Sequence, residues 1–103
     1  MAIGRMIRPA VLVDGVVERV AERKSKKSGE VFAHEVTLKQ HSDAVMTYTV
    51  YTRSREEYGL PAVGEFAAVE CSVEESREWG TSLNFERPAF DALDRIQSAL
   101  SAA

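Results

Sequence analysis

The sequence predicts a mainly β fold, and three observations predict it. Apolar and polar residues alternate with a period of two along several stretches of residues 10–88, and these stretches are rich in Val, Thr, Tyr and Phe. Short polar or Gly-bearing clusters separate the stretches, as turns separate strands in a hairpin. The chain has 103 residues, 45% of them hydrophobic and 28% charged, which is ordinary for one small domain with a core of its own.

Residues 10–23 read as a long first strand with Val11, Val13, Val16, Val17 and Val20, and Gly15 marks a bulge or strong bend in it. Lys24-Ser25-Lys26-Lys27-Ser28-Gly29 is a polar, cationic hairpin tip. Residues 30–40 alternate, with Phe32, His34, Val36 and Leu38 on one face and Val31, Ala33, Glu35, Thr37 and Lys39 on the other. His41-Ser42-Asp43 makes a second turn. Residues 45–53 give a third strand, in which Met46, Tyr48 and Val50 oppose Thr47, Thr49 and Tyr51. Residues 54–58 make one helical turn, stopped by Gly59 and Pro61. Residues 65–74 are a fourth strand, 75–80 a charged tip ending in Trp79-Gly80, and 81–87 a fifth strand closed by Pro88. From Phe90 the spacing becomes helical, with Phe90, Leu93, Ile96 and Leu100 on one stripe. The order and the helical break after the third strand predict a five-stranded OB-like Greek-key barrel over residues 10–88, with a C-terminal helix and tail over 89–103.

Composition narrows the function. No apolar run approaches the ~20 residues of a membrane span, and Met1–Pro9 has no long apolar core behind Arg5 and Arg8, so the expected setting is cytoplasmic. A single cysteine, Cys71, and the absence of metal-ligand spacing predict a reduced protein without metal or cofactor. Catalysis is not expected. The chain has no Gly-rich phosphate loop; His34 shares its strand face with Val36 and Leu38, and His41-Ser42-Asp43 are too close in sequence to converge as a relay. The net charge is −3, yet residues 1–55 carry +4 and residues 56–103 carry −7. That asymmetry allows a basic face on an acidic protein.

The informative constellation is a cationic tip beside strand aromatics, which is how single-stranded nucleic acid is held: phosphates follow a positive groove and bases stack on rings. Candidate phosphate contacts are Arg19, Arg23, Lys24, Lys26, Lys27, Lys39, Arg53 and Arg87. Candidate stacking rings are Phe32, Tyr48, Tyr51 and Trp79. Phe32 has core parity unless a bulge intervenes; Tyr48 shares parity with Met46 and Val50, whereas Tyr51 faces outward. Trp79, between Glu78 and Gly80, stands at a loop tip where its own core is hard to reach.

The run Lys26-Lys27-Ser28-Gly29-Glu30-Val31-Phe32 resembles the basic, Gly-x-x-aromatic hairpin of OB-fold single-stranded DNA-binding proteins. The stretch from Glu57-Tyr58-Gly59-Leu60-Pro61 to Trp79-Gly80-Thr81-Ser82-Leu83 is similar to the filamentous-phage gene-five type, the helix-destabilising proteins, and the resemblance covers roughly residues 15–88. It implies that Phe32 is the stacking aromatic of the second strand and that Arg23, Lys24 and Lys27 contact phosphates. By the same resemblance Trp79 is the loop-tip aromatic that reaches the partner subunit's DNA site, and Arg87 matches a basic residue near the end of the last strand. It implies a homodimer that coats strands in replication, recombination or transfer. The chain departs from that family in its C-terminal helix and in Glu74, Glu75 and Glu78 beside Trp79. The acidic tail of bacterial single-strand-binding proteins is missing from the end Ser98-Ala99-Leu100-Ser101-Ala102-Ala103. The expected partner is therefore single-stranded DNA, with no membrane role. The alternatives are a protein-interaction or assembly module of the same fold, and single-stranded RNA.

Overall fold

A computed structural model describes residues 10–78 and 80–89. Trp79 and the helix expected over residues 90–100 lie outside the described residues. The rest is mainly β: strands β1 (Ala10–Lys24), β2 (Val31–Lys39), β3 (Val45–Tyr51), β4 (Phe66–Ser76) and β5 (Gly80–Pro88), with one helix, α1 (Thr52–Tyr58). The strands form one sheet in the order β1-β2-β3-β5-β4, and β4 returns to β1 to close a ring.

Closure depends on β1. Its first half pairs with β4, from Ala10↔Ser72 to Val16↔Phe66, and its second half pairs with β2, from Val16↔Lys39 to Lys24↔Val31. Gly15 sits where the strand passes from one neighbour to the other. A Cβ there would meet the Lys39 carbonyl oxygen at 2.8 Å and the Leu38 Cβ at 3.2 Å, so only glycine lets the backbones approach this closely. The bend expected at Gly15 is thus where the sheet turns its corner.

Inside the ring, Val13 and Val17 of β1, Val36 and Leu38 of β2, Tyr48 and Val50 of β3, and Ala67, Val69 and Cys71 of β4 form the core. Leu60, Leu83 and Phe85 pack against it. Burial pushes the Cys71 thiol up to about 12, with Glu86 and Glu70 adding to the shift, so the thiol is neutral and sheltered.

Element ends differ from the sequence expectation by one or two residues, and the junction of β3 with α1 is where this changes a candidate residue's place. β3 ends at Tyr51, and Thr52 and Arg53 begin α1 instead of finishing the strand. The Thr52 hydroxyl donates to the Phe32 carbonyl at 3.0 Å, which fixes the helix start against β2. Gly59 then stops α1 with a positive φ of 75°, its N–H bonded to the Arg55 carbonyl at 2.7 Å.

Candidate functional site

Outward-facing residues of β2 and β3 are legible from the ladder. Opposed residues of an antiparallel pair share a face, so Thr37↔Thr47, Glu35↔Thr49 and Ala33↔Tyr51 lie on one face of the ladder, where Ala33 and Thr37 are themselves buried and Thr47 and Tyr51 are exposed. The Thr37 and Thr47 hydroxyls bond each other at 3.0 Å and tie the two strands together on that face. The face forms the floor of a groove of about 840 Å³. Arg23, Phe32, Tyr51, Thr47 and Thr49 line one side, and Glu74, Ser76 and Thr81 to Asn84 line the other. Arg23 and Phe32 bring it to the strand ends that carry the β1–β2 tip, and Ser76 and Thr81 to those that carry the β4–β5 turn, but Lys24, Lys26 and Lys27 are not among its lining residues.

Phe32 reaches this groove through a bulge. Arg23 pairs with Ala33 but Lys24 pairs with Val31, so Phe32 has no partner on β1 and the register shifts around it. Phe32 is 42% exposed and Tyr51 is 47% exposed. The Arg23 guanidinium lies 5.9 Å from the Phe32 ring centroid and 3.0 Å from a Glu35 carboxylate oxygen. A cation over an exposed ring is worth about 0.5–1 kcal/mol, so Phe32 is held in place yet remains accessible.

The lysine tip is built by its own hydrogen bonds. Ser25 N–H donates to the Glu30 carbonyl and Gly29 N–H to the Ser25 carbonyl, both at 2.8 Å. The Ser25 hydroxyl accepts from the Lys27 N–H at 3.3 Å, and the Ser28 hydroxyl accepts from the Glu30 N–H at 3.3 Å. Gly29 takes the positive φ of 72° that this closure requires. Lys24, Lys26 and Lys27 are exposed there, and none is paired with a carboxylate among the described residues.

Other sequence candidates fall elsewhere. Tyr48 is a correction: only 1% exposed, it stacks on Phe85 at 6.1 Å inside the core and offers no face to a base. Burial, and secondarily Cys71, holds its hydroxyl well above the usual tyrosine range. Arg53 stands on α1, outside the groove lining, where the sequence placed it on the third strand with Tyr51. Lys39 pairs with Asp43 at 3.4 Å and lines a separate hollow of about 560 Å³ with Val16, His41 and Val63. Arg87 pairs with Glu70 at 3.4 Å, and neither it nor Arg19 lines the groove. His34 is buried as its parity indicates, but its Nδ1 has no hydrogen-bond partner among the described residues.

No protein-family model, curated protein or solved structure matches the chain. Sequence reasoning missed Glu74, Ser82 and Asn84, which enter the groove because β5 runs beside β3, with Thr49 opposite Asn84. That pairing is parallel and non-local, and no alternation pattern announces it. Asn84 donates from Nδ2 to Glu74 Oε2 at 2.7 Å. Among the described residues no cluster of His, Cys, Asp or Glu could hold a metal ion, and no helix is long and apolar enough to cross a membrane.

Proposed function

We propose that the ring is an OB-type barrel and that its groove binds single-stranded DNA with tolerance for sequence. One observation carries the reading: Phe32 and Tyr51 stand exposed in the groove with Arg23, and β1 runs on from Arg23 into a lysine tip that has no acidic partner among the described residues. In OB folds the face of strands two and three, flanked by the first-hairpin loop and the loop between strands four and five, is where oligonucleotides lie. The strand order and the helix between β3 and β4 agree with that architecture. Bases would stack on the two rings while phosphates run past Arg23, Lys24, Lys26 and Lys27. Glu35, which lines the groove beside Phe32, is paired with Arg23. Kinship with the filamentous-phage helix-destabilising proteins, and the homodimer that goes with it, belong to the same proposal.

Anisotropy of a labelled mixed-sequence single strand, titrated across salt, tests it. Affinity falls by about 0.7 log units per log unit of salt for each phosphate neutralised, so changing Lys24, Lys26 and Lys27 to Ala flattens the slope by about 2. No binding at low salt removes the reading; a labelled RNA of the same sequence tests the RNA alternative. A protein-interaction module is favoured by a different observation, the exposure of Leu12, Val16 and Val63 outside the groove. That role predicts no salt-sensitive affinity for nucleic acid.

A further inference from the structure

The hairpin tips beyond the groove differ in charge. Lys24, Lys26 and Lys27 outweigh Glu30 at the β1–β2 tip, whereas Glu74, Glu75 and Glu78 outweigh Arg77 at the end of β4 and in the β4–β5 turn, and of these residues only Glu74 lines the groove itself. Phosphates are drawn to the first tip and repelled by the second, so a bound strand turns its bases towards Glu74 and Asn84. What those bases meet is rich in acceptors. Arg23 is already committed to Glu35 at 3.0 Å, and the Asn84 amide nitrogen to Glu74 at 2.7 Å. That second bond orients the amide so that its oxygen is left for a ligand. An ionised carboxylate has about four lone-pair sites, and one donor leaves the rest open, so Glu35 and Glu74 keep acceptor capacity facing the groove.

We infer that the acceptors of the groove, Glu74 and the Asn84 amide oxygen above all, select bases that carry an exocyclic amino group, with cytosine favoured over thymine or uracil. This rests on the single-strand reading and refines its sequence tolerance into a preference. Cytosine offers its amino group as a donor to a carboxylate, while uracil and thymine present a carbonyl at the same position and are repelled. Stacking on Phe32 and Tyr51 does not separate the two pyrimidines, because their rings are alike in size.

The test compares oligo(dC) with oligo(dU) of equal length by competition anisotropy, at slightly alkaline pH where oligo(dC) does not pair with itself. Oligo(dC) is expected to bind at least about fivefold more tightly, the lower end of what one good base-edge contact discriminates. In Glu74→Gln, oligo(dC) weakens and oligo(dU) tightens, so the ratio falls below about twofold. Circular dichroism of the variant confirms that it is folded. Equal binding of both strands, or tighter binding of oligo(dU), by the unmodified protein overturns the preference and leaves the single-strand reading standing. A ratio unchanged in folded Glu74→Gln also overturns the assignment. Failure of both strands to bind at low salt overturns the preference together with the reading beneath it.

Discussion

Phe32 and Tyr48 are both aromatic residues with core parity on adjacent strands, and the structure gives them opposite surroundings. Truncating each separates the two. Phe32→Ala leaves the urea midpoint nearly unchanged, within about 0.5 kcal/mol, as for an exposed side chain. It costs about 1–3 kcal/mol of single-strand affinity, the worth of one stacked base, with the salt slope retained. Tyr48→Ala removes a side chain 1% exposed and costs about 3–5 kcal/mol of stability, so its effect on binding follows unfolding. A Phe32→Ala variant that unfolds would place its ring in the core after all. Parity alone read Tyr48 and Tyr51 correctly, since nothing interrupts the β2–β3 register. It could not place Phe32, because the bulge at Arg23 and Lys24 depends on how the strands pair and not on the residues one by one.

At the scale of elements, β1 carries the most consequence for the least residue. Gly15→Ala puts a methyl group 2.8 Å from the Lys39 carbonyl oxygen, and backbone on both strands must move. The expected cost is about 1–3 kcal/mol, as for overpacking, read as a lower midpoint in urea. A midpoint unchanged from the parent would show that the corner tolerates a side chain. The five strands and the helical break were legible because alternation, Gly and Pro are local signals. Less legible was the end of β3, where Thr52 and Arg53 continue the strand pattern yet enter α1; the Thr52 bond to Phe32 that draws them there is twenty residues distant in sequence. The groove was half legible. Thr47, Thr49 and Tyr51 on its β3 side follow from parity, Phe32 enters it only through the bulge, and its acidic side exists only because β5 runs beside β3.

For the whole molecule, the core sets an alkaline limit. Cys71 and Tyr48 both keep their protons in the folded state beyond their ordinary values of 9.0 and 10.0. Above the ordinary thiol value the unfolded chain releases protons that the folded chain retains, so stability falls with rising pH. Denaturation midpoints are expected to be flat with respect to these two groups below pH 9.0 and to decline from there towards about 12, the folded-state value for Cys71. Cys71→Ala, measured the same way, moves the onset of the decline towards the tyrosine value of 10.0. An onset that does not move assigns the decline to other groups. The ring has one further property at this scale. Four of its junctions are antiparallel ladders several residues long, but β3 and β5 meet at the single registered pair Thr49↔Asn84. A fastened belt gives first at its buckle, and here the buckle lies in the groove. Whatever rests across Thr49 and Asn84 splints it, so occupancy and closure become one equilibrium, and amide exchange slows at β3 and β5 more than along β1 when a strand binds.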